Sequence, residues 1–151
     1  MNRRNVLTLC VIAASGIVLL PSAAVGQKSL KEQLVGAWTL VSAVDILPDG
    51  SKSAPWGSNQ QGAYMFDANG RFAQMLMRSD LPKLTSRLQG TPEQNKAIAQ
   101  GAIAMYGTYS VNEADKVISV HFEGSTFAGF VGTDGKRIVT SLTADELKTT
   151  N

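Results

Sequence analysis

The chain predicts an all-β domain: one small antiparallel barrel of about eight short strands, with a short helix before it and one helix inserted midway. Three observations carry this reading. Gly36-Ala37-Trp38 heads an alternating segment that runs on to Ser42, a start suited to a barrel floor. The glycine lets the backbone bend there, and the indole plugs the floor while its N–H seeks a partner. Short apolar runs then recur between polar turns such as Pro48-Asp49-Gly50 and Asp67-Ala68-Asn69-Gly70, and 151 residues suit a single domain.

Taken in order, Ser29 to Val35 reads as a short helix, with Ser29 as cap, Glu32 three residues later, and Leu30 and Leu34 on one face. Ala37 to Leu47 reads as a strand ended by Pro48-Asp49-Gly50. Ser51 to Trp56 is a second, weaker strand, and Pro55 confines its end to an edge. Gly62 to Asp67 and Arg71 to Arg78 form a hairpin. Its turn has Asp at the first position and Gly at the fourth, which fits a type I turn closed by a left-handed glycine. Thr91-Pro92-Glu93 starts the inserted helix, which runs to about Gln100. Beyond it, Ala102 to Val111 pairs with Val117 to Glu123. Lys136 to Leu142 and Leu147 to Asn151 supply the last two strands. With Asn112 facing Lys116, Gly107 is expected opposite His121.

Residues 1–26 are expected to lie outside the fold, which then spans residues 27–151. Arg3 and Arg4 give a basic start, Val6 to Leu20 carries no charge, and Ala24-Val25-Gly26 offers small residues for cleavage. That is the layout of a secretory signal, so the domain is expected to be periplasmic or secreted, with no membrane insertion after cleavage. Arg3-Arg4 also matches a twin-arginine signal, leaving the export route open. Cys10, the one cysteine, follows the bulky Leu9 near the start of the apolar run, a poor place for a lipid anchor. Its removal leaves a domain without a disulfide, stabilised by its core alone. Removing Arg3 and Arg4 takes Lys+Arg from 14 to 12, equal to the 12 acids. A neutral domain without a basic run gives no footprint for nucleic acid.

With these motifs placed, the chain resembles the bacterial lipocalin-like domain family. The resemblance rests on Leu34 to Ser42, Pro48-Asp-Gly50 leading to Pro55-Trp-Gly57, and Gly62 to Arg71 through Met77-Arg78. It continues in Gly90-Thr-Pro-Glu93, Tyr106 to Val111, His121 to Ser125 and Lys136-Arg137. It implies a lipocalin-type antiparallel β-barrel with an internal cavity, and no established activity. It also implies a further strand, basic and aromatic, after Asn151. An incomplete sequence and an unpaired edge near Leu147 to Asn151 are the alternatives there.

Candidate ligand-binding residues are Trp56, Met75, Arg78, Tyr109, His121, Glu123 and Arg137. His121 and Glu123 share a face of one strand and could orient a polar ligand or share a proton; Ile118, Val120 and Phe122 take the other face. Whether the first pair lines the cavity or the solvated outer face stays open. Arg78 or Arg137 directed inward could hold a ligand carboxylate through two hydrogen bonds; outward, they would pair with Asp80 or Asp134. Met65, Met75, Met77 and Met105 suit an adaptable apolar pocket or plain core filling. Trp56 is the candidate for the cavity rim, and Tyr109 for its wall. One histidine without cysteines gives no metal spacing, and no cofactor is expected. Gly124-Ser125-Thr126 lacks a nucleophile elbow, and the glycines of Gly129 to Gly135 precede no helix. The function expected is an exported carrier of a small apolar or amphipathic ligand. The rival is a cyclase- or isomerase-type enzyme using His121 and Glu123 as acid–base groups inside the barrel. The third class is a protein-interaction module on the outer face.

Overall fold

The computed structural model describes residues 28–151, so the signal expected over residues 1–26 lies outside the described residues. The first described helix, α1 (Leu30–Leu34), is closed by a reciprocal capping box between Ser29 and Glu32. Its N-terminal N–H groups find a second acceptor. Glu113, from a distant hairpin turn, accepts from the backbone of Leu30 at 2.7 Å and Lys31 at 3.1 Å. Leu34 is fully buried, and its carbonyl accepts the Trp38 indole N–H at 2.9 Å. The tryptophan's expected partner is therefore the helix that closes the floor.

Strands follow in the order β1 (Gly36–Thr39), β2 (Asp45–Ile46), β3 (Lys52–Ser53), β4 (Gln61–Phe66) and β5 (Arg71–Met77). After helix α2 (Pro92–Gly101) come β6 (Ala102–Asn112), β7 (Val117–Ser125), β8 (Asp134–Leu142) and β9 (Leu147–Thr150). Seven of them, β1-β4-β5-β6-β7-β8-β9, form one antiparallel sheet that curls into a nearly closed barrel. The barrel thus has seven strands rather than about eight, because β2 and β3 pair only with each other. The long strand expected over Ala37 to Leu47 divides for the same reason. After Leu40 the chain leaves the sheet, and the Gln60 side-chain amide takes a strand's place, accepting from Ala43 N–H at 2.5 Å and donating to its carbonyl at 2.7 Å.

The β4–β5 turn has the expected form. Gly70 adopts φ +87° and is buried, its carbonyl accepting from Tyr109 N–H at 2.7 Å. Helix α2 starts at a Thr91–Gln94 capping box with Pro92 in its first turn. The β6–β7 hairpin differs from the expected register by one residue. Asn112 pairs with Val117, so Thr108 faces His121 and Gly107 faces Phe122. The reason is local: the Asn112 side chain accepts from the N–H groups of Ala114 and Asp115, and Lys116 turns the chain at φ +55°. A bulge between Tyr106 and Gly107 then shifts the upper pairing one residue further, so Tyr106 faces Gly124 and Met105 faces Ser125.

The lower half of the barrel is packed solid. Phe66, Phe72, Met105, Tyr109, Ile118, Val120, Phe122 and Val139 join Leu34 in one buried cluster. Their rings form a chain through the interior: Tyr109 meets Phe66 edge-on at 4.9 Å, Tyr64 lies 4.2 Å from Phe66, and Phe72 meets Phe122 at 5.9 Å. Three of the four methionines read as pocket lining or core filling lie on the outer face instead. Met65, Met75 and Met77 alternate with the buried Phe66, Phe72 and Leu76 and so face outward, whereas Met105 is buried inside.

Candidate functional site

Strand alternation sets a second row above the solid core. Trp38 pairs with Tyr64, Tyr64 with Gln74, and Gln74 with Met105, so these four side chains share the inner face across four strands. Trp38, Tyr64 and Gln74 are only half-buried there, in contrast to the shut-away rings below them. The inner face therefore keeps accessible surface at this level.

Two polar groups stand out in it. The Tyr64 hydroxyl is buried and has no hydrogen-bond partner, although burying an unpaired hydroxyl is unfavourable by about 1–3 kcal/mol. Burial pushes its pKa up, and the nearby Arg137 guanidinium opposes that shift without cancelling it. Arg137 itself faces inward. It pairs across the strands with Ile118, which is fully buried, and sits two residues before the buried Val139. One of its terminal nitrogens donates to the Asn151 side chain. Tyr109, by contrast, is already satisfied, its hydroxyl donating to the Asp67 carbonyl at 2.7 Å.

The remaining candidates lie apart from this row. His121 is exposed on the outer face, with Nδ1 2.7 Å from the Asp134 carboxylate. Glu123 is also exposed and accepts from Arg71 at 2.8 Å. Both point outward because Ile118, Val120 and Phe122 take the inner positions of β7, leaving His121 no route into the barrel. Arg78, at the end of β5, is exposed and donates to Asp80 at 2.8 Å. Trp56 is half-buried in the turn after β3. Met75 lines a cleft of about 520 Å³ with Ala73, Ala104 and Tyr106, and Gln74 and Met105 of the row above border it as well. A second outer groove, of about 340 Å³, holds His121, Asp134, Lys136, Ser119 and Thr108. Among the described residues no group of three His, Cys, Asp or Glu side chains converges to hold a metal, and no helix is long and apolar enough to cross a membrane.

Tyr64 and Gln74 were not among the sequence candidates. Alternation alone assigns them to a face, but only the curl of the sheet brings Tyr64 near Arg137, which is distant along the chain. With this geometry in place, the comparison with known families is direct. The lipocalin-like domain model matches residues 35–151, and the chain belongs to that family. The class is thus a lipocalin-like barrel, a fold that generally holds small ligands. No curated protein and no solved structure matches the chain.

Proposed function

We propose that the protein is an exported, periplasmic or secreted carrier that binds a small, mostly apolar molecule against the accessible part of its inner face. The observation that carries this reading is the Tyr64 hydroxyl, a buried donor without a partner in a wall made mostly of aromatic and aliphatic groups. A pocket of this kind takes its affinity from apolar contact and its orientation from a few polar groups. Trp38 supplies apolar surface, and Gln74 a further polar group.

The neutral fluorophore 1-aminoanthracene tests the reading, since its emission rises on entering an apolar site. Saturable binding at one site per chain, weakened by Trp38→Ala and unaffected by Met75→Ala on the outer cleft, supports it. Absence of saturable binding, or binding lost with Met75→Ala alone, contradicts it.

A further inference from the structure

We propose that the mouth end of the barrel, opposite helix α1, docks on the surface of an anionic phospholipid bilayer. Strand direction divides the connections into two sets. The turns after β4, β6 and β8 lie at the α1 end, and the connections after β1, β5 and β7 lie at the mouth. Their chemistry differs. Among the described residues, eight of the twelve exposed large apolar side chains belong to the three mouth connections, and none to the three floor turns. Val41 is 90% exposed, Leu88 80% and Phe127 58%, although burying such side chains is favourable. The floor turns are instead acidic, with Asp67, Glu113, Asp115, Asp145 and Glu146 against Lys116 alone.

The connection after β7 holds aromatic rings outward. Residues 126–133 carry no charge, and a one-turn 3-10 helix (Ala128–Phe130) closes them, with the Phe130 N–H donating to the Phe127 carbonyl at 3.1 Å. Phe130 stacks on the buried Phe122 at 5.5 Å, and Phe127 meets Phe130 edge-on at 5.1 Å, so the core anchors an exposed aromatic tip. The connection after β5 supplies charge. Arg78 is paired with Asp80, but Lys83 and Arg87, on either side of Leu84 and just before Leu88, have no carboxylate within 4.0 Å among the described residues. Apolar tips beside free cations match the two layers of a bilayer surface: the acyl boundary takes the rings, and anionic headgroups take the cations. A second copy fits less well, because a two-fold contact through this end would bring the free cations of both copies to one interface. The docking is peripheral, with the loops entering only the headgroup boundary. It would turn the half-buried row of Trp38, Tyr64 and Gln74, on the mouth side of the packed rings, toward lipid.

The test is co-sedimentation of the protein lacking residues 1–26, which keeps every described element and the whole buried core, with vesicles. One set is phosphatidylcholine, the other an equal mixture of phosphatidylcholine and phosphatidylglycerol. Binding to the mixed vesicles is expected to be at least about five-fold tighter, the effect of a single cation near an anionic surface. Phe127→Ser and Leu88→Ser are each expected to weaken it by about ten-fold, the scale of one apolar side chain leaving lipid. Lys83→Gln combined with Arg87→Gln removes the preference for the anionic vesicles, whereas Ile138→Ser, on the outer wall, leaves binding unchanged. Melting curves show that each variant still folds. Lack of binding to either vesicle, binding that Phe127→Ser and Leu88→Ser do not weaken, or a preference that survives loss of both cations overturns the proposal. Self-association abolished by Phe127→Ser, in a protein that ignores vesicles, assigns this end to a second copy instead. No fluorophore enters the assay, so its failure leaves the carrier reading standing.

Discussion

Trp38 shows how far one side chain can be read from sequence. Its place after Gly36 predicts an indole in the barrel floor, and the structure supplies the acceptor, the Leu34 carbonyl at 2.9 Å. Trp38→Phe keeps most of the ring's packing and removes this bond, so unfolding in urea should show a loss of about 1 kcal/mol. Nearby, the Glu32 carboxyl is held below its usual range by the Ser29 backbone N–H and then by its hydroxyl. A depressed carboxyl stabilises the fold above the ordinary carboxylate range, and that contribution disappears as pH falls through the lowered value. Glu32→Gln should therefore lower stability at neutral pH and lessen its fall on acidification, measured by denaturation at both pH values. Tyr64 marks the opposite limit. Nothing in Gly62-Ala63-Tyr64-Met65-Phe66 distinguishes its hydroxyl from a satisfied one, because the distinction depends on strands remote in the chain.

Between residue and fold, the turns were more legible than the strands. Asp67 to Gly70 and Thr91-Pro92 announce their elements through local chemistry, and both form as that chemistry predicts. The β6–β7 register was harder to read, since it depends on Lys116 adopting a left-handed φ that a lysine seldom takes. Lys116→Gly should relieve this strain and raise stability by about 0.5–1 kcal/mol, read from the denaturation midpoint. Gly107 makes the larger prediction. At the bulge, a Cβ on Gly107 would stand 1.8 Å from the His121 carbonyl oxygen, a backbone atom that cannot swing aside. Gly107→Ala should lower stability by at least about 3 kcal/mol or prevent folding, which the yield of folded protein and its melting curve report. The split of the first long strand was hidden for another reason: Gln60 replaces a strand neighbour with a side chain.

At the scale of the molecule, the curl of the sheet decides which residues meet. It sends His121 and Glu123 outside to Asp134 and Arg71, and it brings Tyr64 to Arg137 inside. The same curl fills the lower barrel with rings and leaves the Trp38–Tyr64–Gln74 row accessible. The claim that the ligand occupies this row, rather than the outer cleft beside Met75, has a direct test. Spectra of the tryptophan indole N–H groups and of methyl-labelled methionines, recorded while 1-aminoanthracene is added to saturation, report both places at once. The Trp38 indole N–H is expected to shift while the Met75 methyl stays in place. A shift of the Met75 methyl with the Trp38 indole unmoved would put the ligand on the outside of the barrel and contradict the account.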